Sequence, residues 1–102
     1  MDASRIRRVL TTGKRSRRSH FDIYWIANEA GLARLGLVVS KPRQTAVARN
    51  RLRRRLREIW RREIRSLLGG LDVVIRTRAE AYGATFQQLH ADLAGWVAAL
   101  EA

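Results

Sequence analysis

The chain has 102 residues, with 21 Lys and Arg against 9 Asp and Glu, a formal net charge of +12, and no cysteine. That charge points to an anionic partner and falls in the range of nucleic-acid-binding domains, while the lack of thiols excludes disulfides, thiol catalysis and thiolate metal sites. The length suits one RNA-binding domain over residues 1–102, and with neither a membrane-length apolar run nor a signal-peptide core the chain is expected to be soluble and cytoplasmic.

From Ser4 to Leu10, the apolar residues Ile6, Val9 and Leu10 repeat at helical spacing, and Gly13 is placed to end a short amphipathic helix. Its other face is arginine; residues 1–18 hold seven basic side chains against Asp2, a net +6. The run KRSRRSH, residues 14–20, reads as a polar basic connector. FDIYWIA (21–27) reads as a strand with Phe21, Ile23 and Trp25 on one face and Asp22, Tyr24 and Ile26 on the other. A turn over residues 28–33 leads to RLGLVVS (34–40), a second strand expected to pair with the first as a hairpin.

Pro42 bars a continuous helix, and Thr45 is a candidate N-cap for the longest element, which runs to the Gly69-Gly70 pair. At roughly 100° per residue, Leu52, Leu56, Ile59, Trp60 and Leu67 share a third of its circumference, with Arg51, Arg54, Arg61 and Arg65 opposite. LDVVIRTR (71–78) is a short apolar strand, followed by a loop around Gly83. Thr85 and Gln88 have capping-box spacing before a last helix whose Phe86, Leu89, Leu93, Trp96, Val97 and Leu100 are expected in the core. The order α-β-β-(β)-α-β-α predicts a single-domain α+β or α/β sandwich, with helices packed on one sheet.

The long helix poses the functional question. Residues 41–65 hold eleven basic side chains against Glu58 and Glu63, a net +9. Like charges at i,i+3 and i,i+4 oppose folding by a few tenths of a kcal/mol per pair, so stability alone does not explain Arg53, Arg54 and Arg55 in a row. Apart from Lys14 and Lys41 every basic residue is arginine, whose planar fork grips phosphate oxygens in pairs and stacks on bases, although a GC-rich genome gives the same bias. Only Asn50 offers an amide suited to reading an adenine edge. The expected mode is therefore backbone and shape recognition with strong salt dependence. Chemistry by the chain alone is not expected: His20 and His90 lie far apart, no carboxylate pair has a suggestive spacing, and neither metal-ligand spacing nor a glycine-rich phosphate loop is present.

RLGLVVSK followed by AVARNRLRRRLRE resembles the signature of the bacterial ribonuclease P protein component, whose defining element is an Arg-Asn-Arg helix, here Arg49, Asn50 and Arg51. The first helix, FDIY, the Asp72–Ile75 strand and the last helix also match in order. The resemblance implies a left-handed β-α-β crossover, against the usual right-handed rule. It implies the small subunit of a ribonucleoprotein that removes the 5′ leader of precursor tRNA, with hydrolysis performed by a catalytic RNA and its Mg²⁺. Arg49, Asn50, Arg51, Arg53, Arg54 and Arg57 are then expected to face that RNA, with Lys41, Arg55 and Arg61 extending the surface. Any Mg²⁺ is expected between RNA phosphates, with Asn50 an outer partner.

A cleft between the first helix and the sheet is expected to hold the single-stranded leader, lined by Ile6, Val9, Leu10, Phe21, Tyr24, Ser40 and Arg76. Tyr24 matches a family aromatic able to stack on a base, worth ~1–3 kcal/mol; its spacing fits equally an amphipathic strand residue with a wet hydroxyl. Two departures stand out: Ile6 and Leu10 replace common phenylalanines, and Pro42 replaces a common second lysine, so weaker leader-base preference is expected. A monomer within the holoenzyme, with no membrane or DNA partner, completes the expectation. The rivals are a structural RNA-binding protein of ribosomal type and a DNA-binding basic helix, the latter lacking a visible zipper or helix-turn-helix partner.

Overall fold

The computed structural model describes residues 1–41 and 43–101, so Pro42, with its expected break and its replacement of a lysine, lies outside the described residues. Helix α1 (Ala3–Thr12) is capped by Asp2, whose side chain accepts from the Arg5 N–H at 2.8 Å. Gly13 ends it in extended backbone, and the need for glycine there is spatial: a Cβ would sit 2.5 Å from the Val9 carbonyl oxygen and 2.8 Å from that of Trp25.

Four strands follow: β1 (Lys14–Arg17), β2 (Phe21–Ala27), β3 (Arg34–Val38) and β4 (Leu71–Thr77), in the spatial order β1-β2-β4-β3. Two expectations change. The basic run expected as a connector contains β1, which pairs antiparallel with β2 from Lys14↔Trp25 to Arg17↔Asp22. A short charged edge strand has no apolar alternation to betray it, and its charge protects the edge from stray pairing. The expected hairpin between 21–27 and 34–40 does not form; β4 lies between, antiparallel to β2 and parallel to β3. β4 is buried on both faces from Asp72 to Ile75 and so belongs at the centre, whereas β3 is only partly buried and takes the edge. The six residues 28–33 easily span two strand spacings of roughly 5 Å each.

Helix α2 (Ala46–Ile59) and helix α3 (Phe86–Glu101) cover one face of the sheet. Leu52, Leu56 and Ile59 of α2 and Leu89, Leu93, Trp96 and Val97 of α3 close over Phe21, Ile23, Val73 and Ile75, and Trp25 meets Trp96 edge to face at 5.5 Å. α1 packs on the opposite face, with Val9 buried against Tyr24 and Val74. Gly36 permits this approach, since a Cβ there would lie 2.8 Å from the Ile6 side chain.

The long helix does not stay regular. A π turn (Trp60–Ile64), marked by the Arg65 N–H donating to the Trp60 carbonyl, leads into a 3-10 turn (Arg65–Leu67). The wider turn adds about one residue per turn, which shifts the phase of a 100° projection. Ile64 is therefore buried, while Leu67, expected in the apolar stripe, is 56% exposed. The capping box forms as expected, with Thr85 and Gln88 exchanging backbone-to-side-chain bonds at 2.9 and 3.1 Å. Phe86, expected in the core, is the first residue of α3 and is 43% exposed, whereas Leu89 and Leu93 further along are buried.

Candidate nucleic-acid interface

α2 is pinned by its buried stripe and capped by Thr45, whose hydroxyl accepts from the Ala48 N–H at 3.0 Å. Its solvent side carries the expected residues in two states. Arg49 donates to the Gln44 carbonyl at 2.9 Å, Arg53 to the Asn50 amide oxygen at 3.2 Å, and Arg61 to both Glu58 carboxylate oxygens at 3.1 Å. The side chains of Arg51, Arg54, Arg55 and Arg57 make no hydrogen bond or ion pair among the described residues, and Lys41 is exposed at the approach to the helix. Arg51 and Arg55 also border a notch of about 150 Å³ against Tyr82, in the 3-10 turn Ala79–Gly83.

α1 covers only part of its sheet face: one opening, of about 680 Å³, lies between Arg5, Arg8 and Val9 of α1 and Ile26 and Asp72 of the sheet, and another, an open groove of about 640 Å³, lies on the sheet at the Tyr24 and Arg76 end. Tyr24, Ser40 and Arg76 line it as expected, joined by Lys41 from the other expected set. Ile6, Val9 and Leu10, expected in the same cleft, do not line this groove: Ile6 and Leu10 are half-buried against the Val9, Tyr24 and Val74 cluster, and Val9 borders the other opening. Phe21 must be removed from the cleft: it is 0% exposed in the core under α2 and α3, because successive strand residues alternate faces and Tyr24, not Phe21, points towards α1.

Sequence reading missed Arg15, Asp22 and Arg78 in this groove. Asp22 is buried and accepts from Arg15 at 3.0 Å and from Arg78 at 2.7 Å. The one available signal was an acid on the Tyr24 face of an otherwise apolar strand beside so many arginines. Two further buried carboxylates act alike. Asp92 of α3 holds the β1–β2 turn through Arg18, the His20 N–H and the His20 ring at 3.2, 2.9 and 3.0 Å. Asp72 accepts from Arg34, Asn28 and Arg5 at 2.7, 2.9 and 3.2 Å. Burial works against the Asp72 charge, but the hydrogen bonds from Arg34, Asn28 and Arg5 outweigh it and hold the carboxyl below its ordinary value.

The groove and the arginine helix meet at one corner. Ser40, at the groove, receives the Tyr82 hydroxyl on its carbonyl at 2.5 Å, and Tyr82 in turn lines the notch with Arg51 and Arg55. The two histidines stand apart, His20 on Asp92 and His90 3.9 Å from Glu63. Among the described residues, no group of three or more His, Cys, Asp or Glu side chains is placed to hold a metal ion, and no helix is long and apolar enough to cross a membrane.

The family model for ribonuclease P matches residues 1–101. The chain belongs to the ribonuclease P protein family. It is 33% identical over 87 residues to the ribonuclease P protein component of Clostridioides difficile, covering 84% of this chain and 76% of that one. With the Nocardioides component it is 33% identical over 95 residues, 90% of this chain and 81% of the relative. With that of Syntrophobacter fumaroxidans it is 48% identical over 54 residues, 53% of this chain and 45% of the relative. The RNase P protein of Staphylococcus aureus superposes with a TM-score of 0.84 at 27% identity, covering 93% of this chain and 87% of that one. That of Thermotoga maritima does so at 0.81 and 27%, covering 91% and 94%.

The ribonuclease P protein component is a subunit of a ribonucleoprotein endoribonuclease of tRNA processing in which RNA carries the catalysis. Its partner is the ribonuclease P RNA. Nothing in these likenesses favours the alternative of a structural RNA-binding role outside tRNA processing.

Proposed function

We propose that the solvent face of α2 docks on the catalytic RNA while the open groove beside α1 receives the single-stranded 5′ leader of precursor tRNA, in the cytoplasm and with one copy of the chain per RNA. The observation that carries this reading is the meeting of the two surfaces at Ser40 and Tyr82. A substrate whose leader lies in the groove is thereby brought to the edge of the face where Arg51, Arg54, Arg55 and Arg57 keep their charge free. Those guanidinium groups screen phosphates of the two RNAs, whose mutual repulsion otherwise keeps them apart, and release counterions as they bind.

Mg²⁺ belongs to the RNA in this reading. The α2 face presents N–H donors and positive charge, and the amide oxygen of Asn50 already accepts from Arg53, so the residues present do not suit a cation. The protein's part is to hold leader and catalytic RNA in register, lowering the Mg²⁺ needed for that approach.

Cleavage of a 5′-extended precursor tRNA by the cognate catalytic RNA at low Mg²⁺ tests this, with and without the protein and with a protein-only control. Stimulated cutting at the mature 5′ end, with none from protein alone, is the expected result. Tight RNA binding without stimulation would overturn it.

A further inference from the structure

The groove has one aromatic ring on its floor, Tyr24, and that ring is only 8% exposed. Its cover is Arg15, directly opposite it in the β1–β2 register. The Arg15 guanidinium carbon lies over the ring, 5.7 Å from the centroid, within cation–π range. The same guanidinium donates to Asp22 at 3.0 Å. Asp22 is 7% exposed, and its other oxygen accepts from Arg78, which also donates to the Arg18 carbonyl. Arg15 is thus held between a ring and a buried carboxylate, while 53% of its side chain faces solvent in the groove.

A nucleotide base entering the groove has two options. It can push Arg15 aside to reach Tyr24, which strips a buried carboxylate of one of its two cations and breaks the cation–π contact. Or it can stack on the outward side of the guanidinium, which is flat, weakly hydrated and suited to stacking, and then nothing already formed is lost.

We propose that an unpaired leader base stacks on Arg15, with Tyr24 as the second layer of the ladder and the Asp22–Arg78 pair fixing the plane. Arg15 is then the base-contacting residue and Tyr24 its support. This rests on the groove being the leader site. The contact tolerates any base, since every base has a π-face, and it sets a fixed positive charge beside the leader phosphates.

The test uses the holoenzyme assembled from this protein and its cognate catalytic RNA. Affinity is measured for a precursor tRNA with a leader of about six nucleotides, within the span of such grooves, and for the same tRNA without a leader; their ratio is the leader gain. Arg15→Lys keeps the charge but loses the plane. It is expected to cut the leader gain about tenfold while leaving the slope of log affinity against log salt unchanged, and Tyr24→Phe is expected to keep the gain. Leaders carrying a single abasic sugar, scanned position by position, should make wild type and Arg15→Lys equal at the contacted nucleotide, a result that general loosening of the groove does not produce. An Arg15→Lys protein with the full leader gain, or an Arg15→Ala protein whose gain rises because Tyr24 is uncovered, overturns the proposal. A wild-type holoenzyme with no leader gain overturns the groove reading itself.

Discussion

The arginines of the α2 surface and those of the sheet face beneath α1 are the same residue in opposite electrostatic states. On α2, the side chains of Arg51, Arg54, Arg55 and Arg57 have no partner among the described residues, and the one acid within α2, Glu58, is taken by Arg61 and Arg62. On the sheet face, Arg15 and Arg78 share buried Asp22, and Arg5 and Arg34 share buried Asp72. What separates the two states is the reach of a buried carboxylate. A free guanidinium on a pinned helix is charge available to a phosphate backbone, and its binding falls with salt. A guanidinium tied to a buried acid is a positioned plane, and cutting the tie leaves an uncompensated group behind.

The largest expected effect comes from the support beneath the free charges. Leu56 is wholly buried under α2. Leu56→Ala should cost about 2–5 kcal/mol in urea unfolding and weaken RNA binding only as far as the folded fraction falls. A loss under 1 kcal/mol would mean that the helix is not held by its stripe.

Next comes the paired region. Asp72→Asn should cost about 2 kcal/mol at pH 7, because hydrogen bonds from Arg34 and Arg5 lose their charged acceptor. The folded carboxyl titrates below its ordinary value of 3.8, so its contribution is complete above that pH and disappears as pH falls through the folded value. The stability gap between wild type and Asp72→Asn should therefore be constant from pH 7 to about 5 and close in stronger acid; a gap that persists undiminished at pH 2 would assign it to packing.

How far these two regions could be read beforehand follows from the same physics. The arginine helix was legible because local sequence decides it: Thr45 caps, Leu52, Leu56 and Ile59 repeat, and the charge run has few acids near it. Its phase failed only beyond Ile59, where a π turn brings Ile64 inward and leaves Leu67 out. The groove was legible in Tyr24, Ser40 and Arg76 but not in Arg15 or Arg78, because it depends on strand order. β4 enters between β2 and β3 over a long sequence separation, and β1 is a polar edge with no periodicity to read. Phe21 was placed in the cleft against its own strand alternation, which already put it on the face opposite Tyr24.

A smaller effect separates the two states directly. Arg54→Ala should flatten the slope of log affinity against log salt by about one unit and leave the melting temperature near that of wild type. Arg78→Ala should do the reverse, lowering the melting temperature because Asp22 keeps only Arg15, with less change in slope. Equal slopes for wild type and Arg54→Ala would remove Arg54 from the RNA surface.

The smallest effect tests whether the free charges burden the fold when no RNA is present. A chain of net +12 repels itself, and the repulsion is concentrated where guanidinium groups lack carboxylates. Anions that bind the folded surface offset it in proportion to their occupancy, so sulfate added to a dilute phosphate-free buffer should increase helical circular dichroism and raise stability by about 1 kcal/mol. The paired arginines are already neutralised and should contribute little to that gain. Replacing Arg54 and Arg57 together by Ala should thus shrink the sulfate effect, whereas a protein altered at Arg15 should retain it. A sulfate effect lost equally in both would show that the anion does not distinguish free from paired guanidinium groups, and the contrast between the two surfaces would then be one of geometry alone.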